Sequence, residues 1–321
     1  MNNLICDKAF QSINKGYDRT FQANKLSIGL VVPLEVYRQT AVPSMEHQLS
    51  RIQLAERLGF AAVWLRDVPF HVPSFGDAGQ IFDPFVYLGM LAGQTSEIAL
   101  GVSSIVLPLR HPAHVAKAAA SVDVLSGGRL MLGVASGDRI EEYPALNLPY
   151  ENRGERFRDS IEYIKQSWGH YPVFENFYGR NDGSIDLLPK PLNTRVPLLI
   201  TGSSQQAPSW LAENGDGWMI YPRAAQQQKQ VIVDWRERIK NAGLFSKPVM
   251  QPLYIDLSDD PSEAPSPIHL GFRSGINYLK EYLVELEGIG VNHVALNLRF
   301  NQSCIDDTLS RLADKLLPMF T

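Results

Sequence analysis

Short aliphatic runs alternate with longer amphipathic stretches eight times along these 321 residues, and nothing else in the sequence constrains the fold as tightly. The runs are Ser27–Leu34, Ala61–Arg66, Ile98–Val106, Arg129–Ala135, Pro197–Thr201, Gly217–Tyr221, Val249–Leu257 and His293–Leu298. Each is nearly continuous in apolar character, as a parallel strand covered on both faces must be. Helical patterns separate them at Ser44–Leu58, Asp83–Gln94, Ala113–Leu125, Arg153–Trp168, Ala207–Asn214, Ala225–Ala242, Ile276–Glu287 and Ile305–Leu317. Their punctuation is consistent: Gly59 stands where a C-terminal cap belongs, Pro112 at a first turn, and Gly127–Gly128 beyond a last one.

Parallel strands joined by crossover helices close in two main ways, an open doubly wound sheet or a closed barrel. Eight βα units is the barrel number, and no G-x-G-x-x-G turn follows the first strand, where Ile28–Pro33 runs on to Glu35. The predicted fold class is therefore α/β, a (β/α)8 TIM barrel spanning 26–321 as a single domain, with 1–25 as an N-terminal extension packed across a barrel end or onto a partner. The gap between the fourth and fifth strands is about twice the others, so 169–195 reads as an insertion. Its Tyr171, Phe174, Phe177 and Tyr178 suit either a cover over the pocket or a hairpin packed outside the barrel. Ser258–Pro267, rich in acids and prolines, is expected to form a solvated or mobile lid.

Composition removes several function classes. A net charge of −4 with 45% hydrophobic residues fits neither a disordered chain nor the basic excess of a nucleic-acid binder. The first 25 residues are too broken by charge for a signal peptide, and no apolar run approaches the ~20 residues that span a bilayer. Cys6 and Cys304 form neither a disulfide framework nor a metal cage, so a cytoplasmic setting is expected. His111 and His114 lack an acidic or cysteine companion and read as surface or capping residues; no metal is expected.

Barrel chemistry sits at the C-terminal ends of the strands. There the sequence delivers Arg66, Asp67 and His71 after the second strand, Ser103 and Ser104 on the third, and Ser136 and Arg139 after the fourth. The fifth ends in Thr201–Gly202–Ser203–Ser204, which suits either an anion seat at the next helix or an ordinary N-cap.

Several ordered motifs then carry a family resemblance: Ser96–Gly101, Leu107–Pro112, Leu125–Leu130, Leu132–Gly137, Glu151–Phe157 and Ile200–Ser204 followed by Asp216–Trp218. The chain resembles the bacterial luciferase-like flavin monooxygenases. That resemblance implies a barrel binding FMN, or F420 in some relatives, and an oxidoreductase acting on a reduced flavin. The leading expectation is a monooxygenase using O2, a small organic substrate and FMNH2 from a separate flavin reductase. F420-dependent hydride transfer and a non-catalytic flavin-binding or partner subunit are the alternatives, and a homodimer is the default assembly. The resemblance further implies a non-proline cis peptide at Ser103–Ser104 and a phosphate seat at Gly202–Ser204, with Arg139 adding charge. Two departures stand out. Val68 occupies the place of a family histidine, and Ser136 the place of luciferase's phosphate-binding arginine. The expected catalytic set is Arg66, Asp67 and His71; the expected cofactor-binding set is Ser103, Ser104, Ser136, Arg139, Thr201, Gly202, Ser203 and Ser204.

Overall fold

Each of the eight aliphatic runs becomes a strand in the computed structural model, which describes residues 9–320. They are β1 (Ser27–Val31), β2 (Ala62–Leu65), β3 (Ala99–Val106), β4 (Leu130–Ala135), β5 (Leu198–Thr201), β6 (Gly217–Met219), β7 (Val249–Leu257) and β8 (His293–Asn297). All neighbours pair in parallel, and the β8–β1 and β6–β7 pairings close the cylinder. Helices α1 (Gln48–Leu58), α2 (Pro84–Gln94), α3 (Pro112–Leu125), α4 (Arg153–Ser167), α5 (Pro208–Asn214), α6 (Ala225–Asn241), α7 (Ile276–Gly288) and α8 (Ile305–Lys315) follow the strands in turn. The chain is thus a closed (β/α)8 barrel.

Outward strand residues and the inner faces of the helices make the main core, with Leu30, Val63, Leu100, Leu132 and Leu296 fully buried. Inward residues form a second core inside the cylinder, built on Trp64, Met131, Leu199, Met219 and Met250. Two glycines make room for Trp64 and for the histidine bonded to it. A Cβ on Gly101 would lie 2.2 Å from Trp64, and one on Gly29 would lie 2.6 Å from His293 Nε2.

Residues 13–21 close the N-terminal end of the cylinder. A short helix, Lys15–Thr20, is capped by Asn14 and inserts Tyr17 and Phe21 beneath Trp64 and Met131. Asn14 Nδ2 donates to Asp123 Oδ1 and to the Leu130 carbonyl, and the Tyr17 hydroxyl donates to the Asp216 carbonyl. The plug is therefore bonded to the barrel floor on several sides. Cys6 and the first part of the extension lie outside the described residues.

Of the two long excursions, the first takes one of its two expected forms and the second is tied to the barrel. Residues 173–176 and 179–182 form an antiparallel hairpin. Its aromatics pack on the outside: Phe174 meets Tyr163 of α4 edge-on at 4.8 Å, and Tyr178 meets His111 at 5.6 Å. The insertion takes the hairpin form, and the aromatic-cover alternative is corrected, because those rings already have partners on the helix layer. Ser258–Pro267 leads into a second hairpin, Ser266–Ile268 with Gly271–Ser274, whose returning strand pairs in parallel with β7. Arg273 bridges Asp256 and Glu263 there, which ties the acidic stretch to the barrel.

Candidate active site

Two adjoining cavities open at the C-terminal mouth, of about 380 and 320 Å³. Arg66, Ser103, Ser104, Arg139, Thr201 and Tyr221 line both, so the two are halves of one cleft. The Ser104 and Thr201 hydroxyls hydrogen-bond to each other at the junction, joining β3 to β5. The Ser103–Ser104 peptide is cis.

The first cavity has the makings of an anion seat, built on the loop after β5 and not on the start of the next helix. Helix α5 begins only at Pro208, with Ala207 at its cap, so its first turn does not hold the Thr201–Ser204 stretch. The loop itself turns instead: Gly202, Ser204 and Gln205 all have positive φ, at 56°, 44° and 61°. Gly202 N–H is used, donating to the Met219 carbonyl, and Ser204 Oγ donates to the Thr201 carbonyl. The amides of Ser203, Ser204 and Gln205 have no protein acceptor and lie in the wall of the cavity. Successive free amides in such a turn form a concavity suited to an anion.

A cation stands beside it. Arg153, the first residue of α4, lines the same cavity, lies over the Tyr150 ring at 3.7 Å, and leaves its buried Nε without a partner. Sequence reasoning did not single out this arginine as a cavity residue, although its signal was present in the Glu151–Phe157 motif: a basic residue opening a helix at the barrel rim. It lines the same cavity as Ser136, whose carbonyl accepts from the Tyr143 hydroxyl. Arg139 contributes less free charge, since Glu142 lies 3.6 Å away and its guanidinium covers the Phe75 ring.

The expected catalytic set separates. Asp67 lines the first cavity with its carboxylate engaged: Arg110 grips both its oxygens at 3.1 and 2.7 Å, and the Val106 amide donates to Oδ2. Arg110 reaches on to Asp83, the cap of α2, so Asp67 fastens the rim. His71 lies exposed on the loop beyond, outside both cavities, and is not brought to the others. Three consecutive loop residues, Val68, Pro69 and Phe70, carry it past the mouth. Val68 itself lines the first cavity. Only Arg66 of the three presents free polar atoms to the cleft.

The second cavity brings in residues that no motif announced. Asp77 lies between Arg66 at 2.6 Å and Arg299 at 3.1 Å, and also accepts from the Gly79 amide. Burial opposes its ionisation, but the two guanidiniums outweigh that and hold its pKa below the ordinary carboxylate value. Burial likewise opposes the charge on Arg66, and Tyr254 and Asp77 together overcome it. Tyr254, buried on β7, has its phenol pushed above the ordinary value by burial, so its hydroxyl stays a donor. His269, at the turn of the second hairpin, is the histidine that lines the cleft. No cluster of metal ligands occurs among the described residues, and His111 caps α3 by accepting the Ala113 amide.

Comparison with known proteins bears on the family and the fold. The family model for luciferase-like monooxygenases matches residues 26–296. An F420-dependent hydroxymycolic acid dehydrogenase of Mycobacterium tuberculosis is 29% identical over 224 residues, which cover 68% of this chain and 59% of the relative. The oxygenase component of a flavin-dependent trigonelline monooxygenase from Acinetobacter baylyi is 29% identical over 54% of this chain and 45% of its own length. The chain thus spans about half the length of these curated relatives. Among solved structures, an F420-dependent secondary alcohol dehydrogenase superposes with a TM-score of 0.75 at 19% identity, covering 92% of this chain and 99% of that one. The fold, the ordered motifs and the extent of the family match together make this chain a member of the luciferase-like monooxygenase family of oxidoreductases.

Proposed function

We propose that the chain is a flavin-dependent oxidoreductase that holds a phosphate-bearing flavin in the first cavity and its organic substrate in the second. One observation carries this reading: the free amides of Ser203, Ser204 and Gln205 and the unpartnered Nε of Arg153 converge on one cavity beside the Ser103–Ser104 junction. Those groups fit a phosphate. A charge-assisted hydrogen bond is about twice as strong as a neutral one, and a guanidinium beside free amides suits an oxyanion better than water does. When bound, reduced FMN supplies the electron pair, O2 serves as oxidant, and a separate reductase restores the cofactor. The protein holds the phosphate, offers the Ser103, Ser104 and Thr201 surface to the ring system, and keeps the Tyr254 proton over the second cavity. The likeness to the mycobacterial dehydrogenase favours a second reading, hydride transfer with F420.

Assembly as a homodimer accompanies this proposal. It is supported by an exposed apolar face on and before α2, formed by Phe82, Val86 and Met90.

Titrating the full chain with FMN and with F420, followed by cofactor fluorescence, tests the reading. Saturable binding of either flavin is expected, with Arg153→Ala weakening it tenfold to hundredfold, on the order of one lost charge-assisted bond. Ser203→Glu, at an exposed loop position, is expected to abolish it by placing a carboxylate in the seat. Absence of binding by both flavins, or unchanged binding in both variants, would refute the site. Oxygen uptake with reduced FMN against bleaching of F420 then separates the two chemistries.

A further inference from the structure

The second cavity carries more positive charge than its own structure uses. Three guanidiniums, Arg66, Arg139 and Arg299, face a single carboxylate, Asp77, across its lining. Arg139 is offset by Glu142 from the neighbouring cavity. Arg299 is held in the scaffold by its outer nitrogens, Nη1 meeting Asp77 and Nη2 donating to the carbonyls of Thr40 and Gly76, while its Nε is buried without a hydrogen-bond partner. Arg299 alone would neutralise Asp77, so Arg66 is the surplus charge.

Its geometry is that of an open fork. Arg66 Nη1 donates to Asp77, while Nε and Nη2 find no acceptor in the protein. Gly79 packs flat on the guanidinium, where a Cβ would come within 3.1 Å of Cζ, so the plane of the fork is fixed from one side. Nε and Nη2 form the side-on edge that a planar carboxylate meets with two parallel hydrogen bonds. The Tyr254 hydroxyl lines the same cavity without a protein partner. Met219, Ile220, Met250 and Leu270 supply an apolar part of the wall, beside the polar Ser103, Thr201, His269 and Asn297.

We infer that the second cavity selects an organic carboxylate, its anion held by the Nε–Nη2 edge of Arg66 and its apolar body lying against Met219, Met250 and Leu270. The outer edge of Arg66 faces the cleft with its hydrogen-bonding capacity unspent, and a bound carboxylate would complete its acceptors. The inference rests on the proposed division of the cleft into a cofactor half and a substrate half.

Calorimetric titration of the full chain with benzoate, phenylacetate and octanoate, each against its primary amide, tests it. At least one acid is expected to bind tenfold or more tightly than its amide, and Arg66→Met should bring that ratio close to one. Asp77 keeps Arg299 in that variant, and Arg66→Lys, which retains the charge but loses the fork, should keep a reduced preference. Acids and amides binding alike, none of the six binding, or a preference that survives Arg66→Met would overturn the inference. Flavin fluorescence is read on the same preparations. Flavin binding without acid preference sinks the inference alone, whereas acid preference without binding of FMN or F420 upholds the anion site and sinks the cofactor reading.

Discussion

A histidine sealed inside the cylinder decides part of this protein's pH response. His293 is fully buried, and burial lowers its pKa to about 3. The Trp64 indole can only donate, so His293 Nε2 accepts from it at 2.8 Å and the ring carries its proton on Nδ1. Nδ1 then donates to Ser27 Oγ at 2.6 Å, and Ser27 donates onward to the Thr20 carbonyl of the plug. The folded state keeps this ring neutral while the unfolded chain protonates it below about 6.5, the ordinary histidine value. Stability from this group is therefore complete above about pH 6.5 and is lost progressively as pH falls toward 3. The loss is on the order of 1 kcal/mol at pH 5.5 and grows severalfold by pH 4.5. Urea unfolding of the wild type and of His293→Gln at pH 7, 5.5 and 4.5 should show the variant less stable at neutrality but with a shallower decline. Parallel declines would mean that the ring is not held neutral.

At the scale of elements, the plug is where tertiary packing does what local propensity cannot. Six residues are too few to hold a helix in water, so Lys15–Thr20 exists because Tyr17 and Phe21 are buried against Trp64, Met131 and their neighbours. Phe21→Ala should cost about 3–5 kcal/mol in urea unfolding, as a truncated buried aromatic does, and a loss below about 1 kcal/mol would show the plug to be dispensable. The sequence betrayed no such helix, since its apolar positions repeat over less than two turns. The eight strands and eight long helices were legible, most helices to within one residue, because each has a long apolar period and a physical stop. Gly59, for example, ends α1 with φ 94° and donates back to the Ala55 and Glu56 carbonyls. Where a strand end was overextended, as in Ser27–Leu34, the cause was continued apolar character past Val31 into Val32–Pro33. The site was half legible for a related reason. Thr201–Ser204 and Arg66 announce themselves by following strands, whereas Asp77 lies in an irregular loop and Tyr254 is one aromatic among the apolar residues of β7. Their meaning comes from closure of the barrel, which no local pattern encodes.

Over the whole molecule, charge and apolar surface are distributed unequally, and each imbalance has its place. At the mouth Arg66, Arg139, Arg153 and Arg299 are matched in number by Asp67, Asp77, Asp138 and Glu142, so what favours an anion there is local, the unpartnered nitrogens of Arg66 and Arg153. On the flank, Val86 is 73% exposed, with Phe82 and Met90 a helical turn to either side. Gly89 and Gly93 share the helix, and a Cβ added at either would meet nothing, so a second helix can approach closely. A contiguous apolar face of this kind on an otherwise charged surface marks an interaction site, and a two-fold axis lets one such face cover its own copy. Sedimentation should therefore give the mass of two 35.9 kDa chains. Val86→Glu with Met90→Glu places four like charges in the symmetric interface and should return the mass of one, with flavin binding intact because neither residue lines the cleft. A wild-type monomer, or a dimer indifferent to both substitutions, would move the pairing surface away from α2.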